Sequence, residues 1–182
     1  MSSQAVAAPT LAPTLRRLYF VRFGFALVWA GLLFTSASKL GPISVALLVL
    51  YPLFDVVAAF IDLRSSGNTP GLYVNIATSG IAGIGLALAA GSGIPAVLRI
   101  WGAWAIVSGL VQLAVGISRR KLGGQGAMIA SGAISTVAGT SFILQATQPS
   151  ASLVNLAGYA ALGGLFFLVS AIRLGRRPSD AH

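Results

Sequence analysis

Six apolar stretches, each about twenty residues long and each bounded by turn-forming or basic residues, make up most of this chain. A helix of about 20 apolar residues crosses the roughly 30 Å of hydrocarbon in a bilayer. Backbone polar groups find no water at that depth, so each crossing must close its own hydrogen bonds, as a helix does. The stretches cover residues 16–36, 43–64, 72–90, 94–118, 125–145 and 153–174. The expected fold is therefore all-α: six transmembrane helices in one membrane domain over residues 16–174. Residues 1–15 (MSSQAVAAPTLAPTL) lack the basic segment before an apolar run that a signal peptide carries, and read as a disordered tail. Residues 175–182 read as a short basic C-terminal tail.

Charge then decides what kind of partner the chain meets. Only 8% of the residues are charged, where a soluble domain has about a quarter. The net charge of +9 raises the question of nucleic acid, but the basic residues sit in short clusters at the ends of the apolar stretches. The positive-inside rule produces that distribution, so the expected partner is the lipid bilayer and not a nucleic acid. Arg16, Arg17, Arg64, Arg119, Arg120, Lys121, Arg176 and Arg177 fall on one side; Lys39 falls on the other, with Arg99 just inside the fourth stretch. Both termini are thus expected in the cytoplasm of a cell whose inner membrane the chain crosses. The basic clusters also suit anionic lipid, at about 1 kcal/mol per charge.

Catalytic groups are scarce. There is no cysteine, and the one histidine is the terminal His182, so thiol chemistry, a Ser/His/Asp triad and a His/Cys metal cluster have no residues to build them. The chain is expected to be neither an enzyme nor the holder of a cofactor or metal.

One stretch departs from the apolar frame. ISVALLVLYPLFDVVAAFIDLR, residues 43–64, carries Pro52, Asp55 and Asp62, and the whole chain has only one other acid, Asp180. An ionisable group at mid-membrane depth is costly and marks a candidate site. Helical spacing puts Tyr51, Asp55 and Asp62 on one face. Pro52 has no N–H, which releases the carbonyl of Leu48 as an acceptor nearby. Arg22 lies about two turns inside the first stretch, at a similar depth. Two readings stand side by side: an ion pair of Arg22 with Asp55 or Asp62 that serves structure, and a protonatable or solute site built on Asp55, Arg22 and Tyr51. Arg99, beside Trp101 and Trp104, either reaches to the surface along its stem or contributes to an anion or lipid-headgroup site.

A repeat runs through the chain. Pro42, Pro95 and Pro149 each open the second helix of a hairpin, and Tyr51, Trp104 and Tyr159 follow at nine or ten residues, giving a period of about 54. Two spans per unit insert every unit the same way, so the six helices are expected as three tandem helical hairpins, parallel repeats about an axis along the membrane normal. In that register Asp55 aligns with Ser108 and Gly163. Small residues recur near four-residue spacing on the third stretch (Ala77, Gly80, Gly83) and the fifth (Ser131, Ser135, Gly139), as helices that approach closely in lipid require. Such rows also suit pairing between chains or with other membrane proteins.

The Gly/Ala-rich hairpins, with segments such as WGAWAIVSGLVQLAVGISRR and YAALGGLFFLVSAIRL, resemble the HdeD-like small membrane proteins of bacteria. The resemblance covers residues 15–174. It implies an inner-membrane location and a part in acid or envelope stress tolerance, and it assigns no functional residues.

Overall fold

The computed structural model describes residues 11–37, 39–66, 70–118, 120–122 and 125–176. The expected tail residues 1–10 and 177–182, His182 and Asp180 among them, lie outside the described residues. So do Gly67, Asn68 and Thr69 of the second turn and Arg119 of the fourth. The described residues form six long helices: α1 (Leu11–Ser36), α2 (Pro42–Ser66), α3 (Pro70–Ala89), α4 (Ile94–Ser118), α5 (Gly126–Gln145) and α6 (Val154–Arg176). Single 3₁₀ turns at Ala90–Ser92 and Arg120–Leu122 complete them, and no strand occurs among the described residues. All six helices are long and apolar enough to cross a membrane.

Helix ends follow local chemistry. α1 opens at Leu11 and not at Arg16, so residues 11–15 of the expected tail are helical. Pro13 sits in its first turn, where a missing N–H breaks no helical bond. Prolines also open α2 and α3. The Ser44 hydroxyl receives the Gly41 N–H at 2.9 Å and so ties the Lys39–Gly41 turn to the start of α2. Gly93 takes a φ of +88°, which a side chain would resist, and this lets α3 reverse into α4 within a few residues. α2 runs unbroken through Pro52, which is buried.

The helices are arranged as a ring. Each packs against its neighbours in sequence, and α6 closes on α1; the tightest pairs are α4–α5, α1–α6 and α2–α3. At α4–α5 the cause is glycine. Gly102, Gly109 and Gly116 recur every seven residues on α4 and face Gly139, Gly132 and Ile129 of α5. A Cβ at Gly102 would lie 2.6 Å from the Gly139 carbonyl oxygen, and one at Gly109 would lie 2.7 Å from that of Gly132. The backbones therefore touch, and this contact replaces the hydrophobic effect that lipid cannot supply. The expected small-residue rows hold in part. Gly83 packs against Leu53 and Pro52 of α2 and Gly139 against α4, but Ser131 and Ser135 turn toward the centre of the ring, and Gly80 has nothing within 4 Å of where a Cβ would be.

The two ends of the ring differ. The end carrying Lys39, Gly93 and Pro149 holds the core, in which Trp29, Leu33, Leu48, Leu98, Trp101 and Leu156 are fully buried. Trp29 and Trp101 stack at 5.3 Å, and the Trp29 indole N–H donates to the Leu47 carbonyl at 2.6 Å. The other end, with Arg16, Arg64, Arg120 and Lys121, is not filled in this way. The outer surface is apolar: Val28, Phe34, Ile43, Ile81, Leu88 and Val137 are largely exposed. A face of that kind suits hydrocarbon and not water.

Candidate functional site: a polar cluster on a central cavity

Asp55 sits where helical spacing and ring closure bring four helices together. Its Oδ1 accepts from the Arg22 guanidinium of α1, in an ion pair whose side chains are only 12% and 14% exposed. Its Oδ2 accepts from the Asn75 amide at 2.8 Å and from the Ser79 hydroxyl at 2.9 Å, both on α3. Ser79, itself fully buried, accepts from the Trp104 indole N–H of α4 at 3.1 Å. The carboxylate thus has three donors, enough to hold a charge away from water. The Arg22 guanidinium also lies over the Phe167 ring of α6, 4.3 Å from its centroid, so a cation–π contact holds its other side.

The cluster stands on the wall of a cavity. About 510 Å³ of space lies along the axis of the ring, within the range of small-molecule sites. All six helices line it, and they do so by helical periodicity: Tyr51, Asp55 and Asp62 from α2, Trp104, Ser108 and Gln112 from α4. Tyr19 and Arg22 contribute from α1, Ser131 and Ser135 from α5, Tyr159 and Ser170 from α6. Gly71, Val115, Ala127 and Met128 also line it, which carries the space down to the last turns at the basic end. At the opposite end the Tyr51 ring closes it. That ring packs against Trp29, Trp101 and Trp104 at 4.7, 5.6 and 6.1 Å, on top of the filled core. The lining thus runs from Tyr51, beside the filled core, to the turns at the basic end.

Two further polar contacts ring the space. The Tyr159 hydroxyl donates to the Ser135 hydroxyl at 2.9 Å. Ser108 Oγ is buried and makes no hydrogen bond with any described residue.

Four of the five candidate residues therefore meet. Arg22, Tyr51, Asp55 and Asp62 share the cavity wall, and Arg22 pairs with Asp55. The fifth does not. Arg99 is exposed near the start of α4 and is not among the lining residues, because its position turns it outward while Trp101 and Trp104 turn in. Asn75, Ser79 and Phe167, which complete the cluster, carry no mark in the sequence beyond a polar i, i+4 pair on α3. Ser108 with Gln112 and Ser131 with Ser135 repeat that spacing, and such pairs on apolar helices are the signal that finds them. The chain matches no family model, no curated protein and no solved structure.

Proposed function

We propose that this is a non-enzymatic multi-pass inner-membrane protein that takes a small polar solute into its central cavity, as a small transporter or channel organised on Asp55, Arg22 and Tyr51. The observation that carries this reading is the cavity itself, which side chains of all six helices line and on whose wall the Arg22–Asp55 pair stands. A purely structural ion pair needs no space beside it. A cavity accessible at one end is also what one state of an alternating-access carrier requires, with the site near the midplane. The basic end is assigned to the cytoplasm, which puts both termini there.

Three tandem hairpins form the frame of this reading. It is supported by contacts that recur at one register: Phe25 with Tyr51 in the first hairpin, Ser79 with Trp104 in the second and Ser135 with Tyr159 in the third. In this register the acid belongs to the first hairpin alone, so one unit adds the charge to a frame that all three share.

A second reading rests on the Arg22–Asp55 pair, in which the carboxylate already has three donors. In it the protein is HdeD-like and supports acid or envelope stress tolerance through other copies of itself or other membrane proteins, and the pair serves only the fold.

Reconstitution into liposomes separates the two. Counterflow of at least one member of a panel of amino acids, amines and carboxylates is expected to saturate, and to vanish in Ser131→Trp, which fills the cavity away from the ion pair. Flux equal to that of protein-free liposomes for the whole panel would discard the transport reading and leave the second.

A further inference from the structure

We infer that the solute is neutral overall and docks a carbonyl or carboxylate oxygen on the unused N–H groups of Arg22, with an apolar body against the aromatic wall. The inference rests on the reading of the cavity as a solute site and names the ligand class. Open hydrogen-bonding capacity is its first support. Arg22 meets Asp55 through Nη2 alone. A guanidinium has five N–H donors, and here Nε and Nη1 make no hydrogen bond with any described residue. Neither is sealed in the interior: the buried side-chain atoms without a partner among the described residues are Trp101 Nε1, Ser108 Oγ and Gln145 Oε1. Since Arg22 lines the cavity, its free donors are available there. The Tyr51 hydroxyl, the Gln112 amide and the Ser131 hydroxyl line the same space, have no partner among the described residues and are not sealed in either. Each of these groups can both donate and accept.

Charge balance is the second support. Arg22 and Asp55 neutralise each other, and Asn75 and Ser79 complete the carboxylate. Asp62 stands about two turns nearer the basic end and has an interaction of its own, so it is no free counter-charge at the level of the pair. An ion drawn to that level would lose its water and find no unspent opposite charge, which is unfavourable. A solute whose charges balance, or that has none, avoids that cost. An amide offers its carbonyl oxygen to Arg22. A zwitterion lies along the pair, with its carboxylate on Arg22 and its ammonium toward Asp55, where three donors leave one of about four acceptor sites open. Tyr159, Leu162, Phe166 and Phe167 line the space beside the pair and suit an apolar body.

Four probes with one body test the ligand class: phenylpropanamide, which is uncharged; phenylalanine, a zwitterion; phenylpropanoate, an anion; and phenethylammonium, a cation. Each is titrated into the purified full-length protein in detergent and read by calorimetry and thermal shift. The amide or the amino acid is expected to bind at least tenfold more tightly than either ion, and the stronger of the two tells a carbonyl ligand from a zwitterion. Arg22→Lys keeps a cation beside Asp55 but loses the fork of N–H groups, and Gln112→Leu removes an open amide away from the ion pair. Each is expected to weaken that binding several-fold. The unfolding midpoint without probe shows whether each variant is folded, and Gln112→Leu decides if Arg22→Lys is not. Unchanged binding in the folded variants overturns the docking. If either ion binds as tightly as the neutral probes, and Ser131→Trp abolishes that binding, the neutral class is overturned while the solute cavity stands. If none of the four binds, the neutral class is overturned, and the solute reading is then decided by counterflow alone.

Discussion

Asp55 is the residue whose meaning was most open in the sequence and is most constrained in three dimensions. An acid in an apolar stretch announces itself, and so does an arginine at matching depth, because neither has an inexpensive place in hydrocarbon. Asn75 and Ser79 do not announce themselves. Neutral polar residues are common in helices, and only the facing of α3 toward α2 turns these two into donors for the carboxylate. Arg99 gives the same sequence signal as Arg22 with the opposite outcome, since it lies near a helix end and is exposed. The cluster makes a direct expectation. Asp55→Asn removes the partner of a largely buried guanidinium and is expected to destabilise the protein by about 3–5 kcal/mol. Arg22→Gln added to it is expected to recover part of that loss, a coupling that thermal unfolding of both single variants and the double variant in detergent reads out. Ser79→Ala leaves the Trp104 N–H without its acceptor and removes one donor from Asp55, at an expected cost of about 1–3 kcal/mol in the same assay.

At the scale of the helix, length and apolarity placed all six elements, with ends displaced by a few residues where proline starts a helix earlier than the apolar run suggests. Which face of each helix packs was harder to read. α5 carries two rows of small residues about 70° apart: Gly132 and Gly139 meet α4, and Ser131 and Ser135 meet the cavity. Spacing alone does not say which row is which. The glycines of α4, seven residues apart, match those of α5 only when the two helices are set side by side. Gly109→Ala would put a Cβ 2.6 Å from Thr136 Oγ1 and 2.7 Å from the Gly132 carbonyl, with backbone behind both. It is expected to push α4 from α5 and to cost about 1–3 kcal/mol. Gly80→Ala, with open space around it, is expected to be neutral or to stabilise by up to about 1 kcal/mol through helix propensity. Unfolding midpoints of the two variants check the contrast.

The whole molecule is a ring of helices with a filled half and an open half, and no local pattern in the sequence discloses this division. It arises because the large aromatic residues Trp29 and Trp101 are fully buried and stacked at one end, while at the other small and polar residues such as Gly71, Ser131 and Ser170 stand among the larger side chains that line the cavity. In the proposed topology six crossings put both chain ends on the side of the basic loops, which is the cytoplasm. Reporter fusions after His182 and in the Lys39 turn are expected to give cytoplasmic and non-cytoplasmic signals respectively. Access to the cavity from the basic end is the claim on which the rest depends. It is tested most directly by single cysteines, because the chain has none of its own. Ser131→Cys lies on the cavity wall, and Leu98→Cys lies in the filled core. With a membrane-impermeant thiol reagent, Ser131→Cys is expected to label from the cytoplasmic face only, and Leu98→Cys from neither face. A Ser131→Cys protein that stays unlabelled from both faces, or labels from the Lys39 side, would contradict the account.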